Sequence, residues 1–574
     1  MDLELTKGVV LSEVIEYRHL FPEEKSLDIK NILKKYDRTF LIKLSSLLNF
    51  YYNGLRFPYT DGKRHFFSNP QSKYVKEVQK RWYNYCSKRN LPINHSMPFI
   101  LHRTGLEFLK ILMSIEPNAF KDENVNRDKA EYDFFKIILM INQNILSCNL
   151  ETIHQSDYET MIYLNQYATN SLNDFKYHSI ILRQIAYSQK IFETISTNHN
   201  YQKLYNAFLN KWHVHDWREY TNTILCFFMI LKKNNIEESP TTIGIPSSSL
   251  PQNLINIDIL DTLSISYDEV CSENTDYKCF RERPIIKFKD FYMPINLQLL
   301  SECIYNGIYF TFKNICDNIL CIKQFDKIYK QDIFEHFVFQ QTMWDCIKKF
   351  NVAYPQKEIV LSNENLNETP NQPDFYIRKG NKAALFECKA IKLNAILREQ
   401  ADTKELTATL RKKLYNKNES NGKPKWVGVP QLLNNIEKAI KHEITWDKPE
   451  QSVSFYPILV LEDSNIIKAS FNALMYRWQK EFLGNVNRHR IKPIIVMSAD
   501  TLILYSKSFS EKGFFHYFDK YLSSNFRTMP NGKKDFKIQS NFNEFMDWEC
   551  KHTLDLKSFI KKDNNFTSKG SIIE

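Results

Sequence analysis

The strongest constraint on the fold lies in residues 373–390, which have the side-chain alternation of two β-strands joined by a polar turn around Gly380. Successive side chains of a strand point to opposite faces of the sheet, so Glu387 and Lys389 share one face while Cys388 points to the other. An acidic and a basic side chain therefore leave an otherwise apolar strand next to each other.

A second carboxylate, Asp374, stands at the start of the first of these strands, in the only Pro-Asp dipeptide of the chain. Two carboxylates can bind a hard divalent cation through oxygen, and a neighbouring lysine can orient a water molecule. Such a set is sufficient for metal-assisted cleavage of a phosphodiester. The alternative is an edge hairpin whose glutamate and lysine face water, because short motifs also recur by chance, as Glu549-Cys550-Lys551 does in a helical pattern.

The pattern formed by Asp374, Glu387 and Lys389 resembles the signature of the PD-(D/E)XK nuclease superfamily, and the resemblance covers residues 326–510. It implies an α/β restriction-endonuclease-like core, a mixed sheet flanked by helices, in the C-terminal half of the chain. It also implies Mg²⁺, with Mn²⁺ as a substitute, held by Asp374 and Glu387. Lys389 would position the attacking water and stabilise the charge that develops on the phosphate.

Two further residues match positions of the superfamily. Members often carry a glutamate on the helix before the first core strand, and Glu335 in a helical pattern at 331–350 matches it as a third metal ligand. Many members place a glutamine where a later helix begins, near the water or a phosphate, and Gln431 matches that position. An ordinary exposed glutamate would give the same pattern at Glu335.

Short apolar runs separated by helical patterns surround the motif and predict buried strands of a mixed sheet covered by helices. The predicted strands outside the motif are 358–361, 456–461 and 492–497, and the predicted helical segments are 331–350, 394–417, 431–441 and 467–482.

Length and composition bound the class of protein. A chain of 574 residues predicts two or three domains, and 43% hydrophobic with 25% charged residues is typical of a soluble globular protein. There is no apolar run of membrane-spanning length and no signal-peptide pattern, and the eleven cysteines lack framework spacing, so a cytoplasmic protein without a membrane segment is expected. A net charge of +11 suits a polyanionic partner but is diluted over the chain.

The chain divides into five predicted parts, because helical periodicity dominates the first 235 residues and a Pro- and Ser-rich stretch follows. These parts are a mostly α-helical recognition or regulatory region (1–235), a linker (236–253), a small hairpin-plus-helix segment (254–325), the nuclease core (326–510), and a C-terminal helical extension with a polar tail (511–574).

Other chemistries are less well supported. His213 and His215 are two apart in a helical context, where they do not face each other, so core or surface histidines are favoured over a metal site. Basic residues mix with aromatic ones at 80–83 and 411–415, which is compatible with nucleic-acid contact or with solvated basic faces. No GxxxxGK[ST] loop occurs, so nucleotide hydrolysis would come from a partner subunit.

The sequence therefore predicts a Mg²⁺-dependent nuclease that acts on nucleic acid, with DNA and endonucleolytic cleavage favoured. The resemblance places it in prokaryotic antiphage defence or restriction, and double-strand cleavage by a single-site nuclease implies a homo-oligomer. Two other classes stay open. One is a catalytically idle subunit that binds nucleic acid or acts as a scaffold in a defence complex. The other is a helical interaction protein with an incidental hairpin.

Overall fold

The structure, a computed structural model, is a mixed α/β protein in which short sheets are embedded among many helices, and this confirms the predicted class. It describes residues 14–24, 26–51, 56–57, 66–92, 97–101, 103–123, 125–147, 163, 177–233, 244–251, 253–272, 274–347, 358–362, 372–400, 403–418, 424–444, 447–468, 470–484, 489–528, 532, 534–537 and 541–550.

The N-terminal part of the chain is helical, as predicted. Trp82 and Phe108 belong to one buried apolar cluster that these helices share, so the part has a core of its own. Its elements are α1 (Tyr17–Leu20), α2 (Ile29–Leu33), α3 (Arg38–Tyr51), β1 (Arg56–Phe57), α4 (Lys73–Lys88), β2 (Met97–Pro98), α5 (Thr104–Met113) and α6 (Arg127–Ser147).

A second group of helices shares its buried cluster with the central sheet. Phe192 and Phe227 lie in the same cluster as Phe386 of a sheet strand. The elements of this group are α7 (Tyr177–Thr197), α8 (Gln202–Trp212) and α9 (Trp217–Lys233). The described helices before residue 150 and those from α7 onward therefore pack into two different hydrophobic cores. The domain boundaries drawn from the sequence stay a prediction.

A small four-stranded sheet in the order β3-β6-β5-β4 follows, and it contains the predicted hairpin and helix. Ile286 packs into the N-terminal core, whereas its neighbour Ile285 packs into the core of the central sheet, so this segment connects the two. Its elements are β3 (Ile245–Pro246), α10 (Ile257–Thr262), β4 (Ser264–Ser266), α11 (Lys278–Glu282), β5 (Ile285–Lys287), β6 (Phe291–Pro294), α12 (Leu297–Glu302) and α13 (Asn306–Asn318).

The central sheet has five strands in the order β13-β12-β9-β8-β7. The pairs β7–β8 and β8–β9 are antiparallel, whereas β9–β12 and β12–β13 are parallel. The carboxyl ends of β9, β12 and β13 therefore meet at one edge. The strands are β7 (Glu358–Ser362), β8 (Phe375–Lys379), β9 (Lys382–Lys389), β12 (Ser454–Leu461) and β13 (Ile495–Ser498), and a separate hairpin contains β10 (Asn416–Asn418) and β11 (Pro424–Trp426).

Helices cover both faces of the central sheet, which explains why its strands have continuous apolar runs. Phe386 and Val460 face one core, and Leu385 and Leu459 face the other. The helix predicted at 331–350 is a longer helical run whose middle has π-helical hydrogen bonding. The covering elements are α14 (Phe325–Lys327), the π-helical segment Ile328–Phe339, α15 (Gln340–Ile347), α16 (Ala395–Gln400), α17 (Thr403–Leu414), α18 (Val429–Ile440) and α19 (Phe471–Leu483).

The C-terminal extension is mostly helical, as predicted, while its polar tail lies outside the described residues. In the part of the chain that the structure describes, no helix combines the length and apolar character needed to cross a bilayer. The elements that follow β13 are α20 (Ala499–Leu504), α21 (Ser506–Lys512), α22 (Phe514–Asn525), β14 (Phe526–Thr528), β15 (Lys534–Phe536) and α23 (Phe542–Glu549), of which those from α22 onward lie within the predicted extension 511–574.

Gly428, which precedes α18, is required by both its backbone and its surroundings. Its φ is +59°, and a Cβ built there would lie 2.6 Å from the carbonyl oxygen of Leu414. We expect Gly428→Ala to destabilise the protein by about 3 kcal/mol or more, because a strained φ and a main-chain clash add up. Gly380→Ala is the matched control: its φ is +56° with nothing within 4 Å of the added Cβ, so about 1 kcal/mol is expected. Urea-unfolding midpoints measure the difference, and equal losses would contradict the steric argument.

Candidate functional site

Pairing between β8 and β9 brings Asp374, Glu387 and Lys389 together at the carboxyl edge of the parallel strands. The main-chain N–H of Asp374 donates to the carbonyl oxygen of Phe386 at 3.0 Å, and its Oδ2 accepts from the N–H of Cys388 at 2.6 Å. The Nζ of Lys389 lies 2.5 Å from Oε1 of Glu387. The alternative of a solvent-facing edge hairpin is wrong, because β9 is the central strand of the sheet and Glu387 is 0% exposed.

The π-helical segment brings a third carboxylate to the same edge. The N–H of Ala390, directly after β9, donates to Oε1 of Glu335 at a long 3.5 Å. One residue beyond the segment, the Nε2 of Gln340 donates to the carbonyl oxygen of Asp374 at 2.9 Å. The helical run that contains the π-helical segment therefore contacts the motif strands at two points, Glu335 and Asp374. Single π-helical turns are frequent at functional sites.

Burial and mutual repulsion disfavour ionisation of these carboxylates. Burial, opposed by Lys389 and reinforced by Asp374, raises the pKa of Glu387 to about 8. The same causes raise the pKa of Glu335 to about 7. The pKa of Asp374 is also raised by burial, although the charge of Lys389 and the N–H of Cys388 oppose the shift.

For Lys389, the charges of its neighbours outweigh the effect of burial and favour the ionised form. Burial alone would lower the pKa of its ammonium, but the three carboxylates, with Glu387 foremost, raise this pKa well above its ordinary value. The ammonium therefore stays charged, and 22% of the Lys389 side chain is exposed. The raised pKa of Lys389 suits a fixed positive charge and hydrogen-bond donor rather than a base.

The donor set fits a hard divalent cation in its chemistry. Three carboxylates surround one ammonium, so full ionisation leaves a net charge of −2 that only protons or a further cation can neutralise. Among the described residues, Oε2 of Glu387 has no hydrogen-bond partner although it is buried. The carboxylates are not tightly clustered: within the described chain, the group whose donor atoms all lie within 4.8 Å is Glu269, Cys271 and Cys279. Cation binding would thus draw Asp374, Glu387 and Glu335 together.

Gln431 is not joined to this cluster by any hydrogen bond recorded among the described residues. It occupies the third position of α18, half-buried, and α18 packs against β9 and β12. Its predicted role at the water or a phosphate therefore stays a prediction.

A polar network next to the site was not predicted from the sequence. Glu462, directly after β12, donates its N–H to the carbonyl oxygen of Lys389 at 3.1 Å. Its carboxylate lies 2.8 Å from the Nζ of Lys392 and accepts from the hydroxyl of Tyr305 at 3.0 Å. The available signal was the acidic residue at the end of the apolar run 456–461, since side chains that follow parallel strands meet at one edge.

The rival features are explained by structural contacts. His213 has a left-handed φ of +51° and caps the C-terminus of α8, so the helical context predicted for His213 and His215 is wrong; residues 213–216 form the turn between α8 and α9, and the preference for ordinary histidines over a metal site stays a prediction. In the basic cluster at 80–83, Arg81 pairs with Glu77 at 3.1 Å, and Trp82 is buried. In the basic cluster at 411–415, Arg411 makes a bidentate contact with Glu481 at 2.7 and 3.0 Å, which neutralises its charge.

Comparison with known proteins adds no relative: no protein-family model, no curated protein and no solved structure matches this chain. Functional inference therefore rests on the site itself.

Replacing the buried carboxylate should stabilise the protein when no divalent cation is present. Because the pKa of Glu387 rises from 4.5 to about 8 on folding, the folded state binds more protons than the unfolded state between those pH values. The wild type therefore loses stability as pH rises through this window. We expect Glu387→Gln to gain roughly 1–3 kcal/mol near neutral pH in EDTA, since each pKa unit is worth about 1.4 kcal/mol and Lys389 loses one partner.

Urea unfolding at several pH values measures this effect. The matched control is Glu549→Gln, which alters the second Glu-Cys-Lys sequence, where Glu549 pairs with Lys520 at 2.5 Å. This change should not stabilise the protein. A destabilised Glu387→Gln protein at every pH would contradict the assignment of Glu387 as a strained buried acid.

Proposed function

We propose that this protein is a Mg²⁺-dependent nuclease that hydrolyses phosphodiester bonds. The observation that carries the proposal is the convergence of Asp374, Glu387 and Lys389 at the carboxyl edge of a sheet, with Glu335 beside them. One buried and two partly buried carboxylates around a charged lysine are costly to stability, and such costs concentrate at functional sites. A restriction-endonuclease-like core is part of the proposal, supported by a helix that leads into the antiparallel motif strands and by parallel strands that follow a helical crossover.

Asp374 and Glu387 would hold the cation, with Glu335 as the third ligand. When bound, the cation would supply Lewis-acid stabilisation of the charge on the phosphate and lower the pKa of a water molecule. The N–H of Cys388 donates to Oδ2 of Asp374 and thereby fixes the orientation of this carboxylate.

Lys389 would donate hydrogen bonds to the attacking water or to a phosphate oxygen. Its ammonium now contacts Glu387, so a cation that takes over this carboxylate would free the ammonium for the substrate. Because its raised pKa keeps it charged, Lys389 stabilises the negative charge that grows as the phosphate becomes pentavalent.

The proposal extends to DNA as the substrate, endonucleolytic cleavage, a cytoplasmic location and a role in prokaryotic restriction or antiphage defence. These parts rest on the resemblance of residues 373–390 to the superfamily signature and on the net charge of +11. A nucleotide-hydrolysing partner and a homo-oligomer belong to the same set. Gln431 stays in the proposed site as a water- or phosphate-orienting residue.

Substitution of the motif residues tests the nuclease directly. The full-length protein is incubated with supercoiled plasmid, linear duplex, single-stranded DNA and RNA, each with Mg²⁺, Mn²⁺ or EDTA. We expect metal-dependent cleavage, with Lys389→Ala and Asp374→Asn each lowering the rate by about 10²-fold or more, because each removes a charge needed in the transition state. Glu335→Gln should chiefly raise the metal concentration needed for half-maximal rate.

The matched control is Glu549→Gln, which should cut at the wild-type rate. Lys389→Arg separates charge from geometry, because the guanidinium keeps the charge but not the compact donor, and a large loss is expected. Cleavage by Lys389→Ala at a comparable rate would overturn the assignment. Nucleic-acid binding without cleavage under any divalent metal would favour the scaffold class instead.

Cation binding should release protons. Because the pKa values of Glu387 and Glu335 are raised to about 8 and about 7, both carboxyls are largely protonated in mildly acid solution. A cation must displace these protons, so its affinity should rise with pH by roughly a hundredfold per unit below the lower pKa, where two protons are released, and by about tenfold per unit between the two pKa values. Calorimetric titration with Mn²⁺ in two buffers of different ionisation enthalpy measures the protons released. Binding with no proton release at mildly acid pH would contradict the proposed ligand set.

A further inference from the structure

Two cysteines outside the proposed active site face each other: Cys271, in the segment between β4 and α11, and Cys279, in the first turn of α11. The sulfur atoms of Cys271 and Cys279 lie 3.2 Å apart, although the residues are eight positions apart in the chain. The main chain anchors both: the N–H of Cys271 donates to the carbonyl oxygen of Met113, and that of Cys279 to Oδ1 of Asn274, each at 2.8 Å. Cys271 is buried and Cys279 is partly exposed, so solvent reaches the pair from one side.

A guanidinium polarises this pair. The Nη2 of Arg283 lies 3.3 Å from the sulfur of Cys279 and 2.5 Å from Oε1 of Glu269, so the contact between arginine and sulfur is held in place. The hydrogen bond from Cys271, followed by the charge of Arg283, lowers the pKa of Cys279 to about 7. The contact with Cys279 and burial raise the pKa of Cys271 well above its usual range. One sulfur is thus disposed to be a thiolate and the other a thiol.

The chain between the two cysteines is strained and is attached to the proposed catalytic core. Asp276 and Tyr277 both have left-handed φ values, +52° and +57°, which non-glycine residues rarely adopt. The carboxylate of Asp276 lies 2.6 Å from the Nη2 of Arg398. Arg398 belongs to α16, the helix that directly follows the strand of Lys389. The ion pair between Asp276 and Arg398 is therefore one contact through which a change at the cysteines would reach α16.

A metal site is a poorer interpretation of the same atoms. Glu269, Cys271 and Cys279 offer donor atoms within 4.8 Å of one another, but the cation of Arg283 lies against two of the three. Two thiolates bound to one Zn²⁺ with Zn–S bonds of about 2.3 Å in tetrahedral geometry stand about 3.8 Å apart. The sulfurs here are closer, at 3.2 Å.

We propose that Cys271 and Cys279 form a redox-active dithiol that hydrogen peroxide oxidises to a disulfide, and that closure of this bond perturbs α16 through Asp276 and Arg398. In the first step the Cys279 thiolate attacks the peroxide, an S–O bond forms, the O–O bond breaks, and hydroxide leaves and is protonated to water. In the second step the sulfur of Cys271 attacks that of Cys279, the S–S bond forms, the S–O bond breaks, and hydroxide leaves with the thiol proton as water. Two thiols lose two electrons, and one peroxide is reduced to two waters.

The experiment follows the thiols and needs no turnover, so it is independent of the proposed nuclease function. Reduced full-length protein receives one equivalent of hydrogen peroxide, remaining thiols are blocked with N-ethylmaleimide, and peptides are analysed by mass spectrometry. We expect a cross-linked Cys271–Cys279 peptide to form about tenfold faster than Cys321 is oxidised. Cys321 is the matched control for accessibility, because it is exposed.

Variants separate the steps. Cys271→Ser should stop at a sulfenic acid on Cys279 that dimedone traps, and Cys279→Ser should leave Cys271 reduced. Arg283→Gln keeps both sulfurs and should slow cross-linking by about fivefold, which tests the site even if a cysteine variant folds poorly. Oxidation of Cys321 before the pair, or stoichiometric Zn²⁺ that Cys279→Ser releases, would overturn the dithiol. Deuterium uptake of α16 should increase in the oxidised protein, and unchanged uptake would overturn the coupling.

Discussion

The carboxylate of Glu387, buried in the middle of the sheet and touched by one ammonium, is the constraint on which the rest of the proposed active site depends. A buried charge must be paired or neutralised. The ion pair with Lys389, at 2.5 Å, partly compensates the charge of Glu387. Proton uptake, which the raised pKa of about 8 reflects, neutralises the carboxylate further. Nearby Asp374 and Glu335 increase the repulsion. Protonation therefore stabilises the site, and in the proposed nuclease a divalent cation would take the place of these protons.

The surrounding fold makes such a site possible by rigid packing. Strand β9 has neighbours on both sides and helices over both faces, so its side chains cannot turn away from one another. Both ends of the Asp374 residue are held, its N–H by Phe386 and its carbonyl oxygen by Gln340. The π-helical hydrogen bonding of Ile328–Phe339 shifts the helix register just before Gln340. Glu335 and Gln340 are thereby presented to the same strand end.

Sequence periodicity was sufficient to predict the individual helices and strands and to predict which residues lie on the same element. The period of two predicted the neighbouring positions of Glu387 and Lys389, and the start of α18 near Gln431 was also predicted. Sequence could not supply contacts between distant segments: Tyr305 and Lys392 meet Glu462 only because three separate elements end at one edge. Nor does local pattern reveal that helices before and after residue 150 belong to different cores, since both have the same helical periodicity.

Helix α16 connects the N-terminal core to the proposed active site. It begins at Ala395, shortly after β9 ends at Lys389. Its six residues are held from the N-terminal side by two charges: Asp276 pairs with Arg398, and Lys110 pairs with Glu399, whose carbonyl oxygen also accepts from Arg103 at 3.3 Å. A six-residue helix has little stability of its own, so these tertiary contacts set its position. Any movement of the N-terminal core relative to the sheet must therefore either break these ion pairs or move the chain next to Lys389. The helical half of the protein is thus mechanically connected to the proposed chemistry without contributing a residue to it.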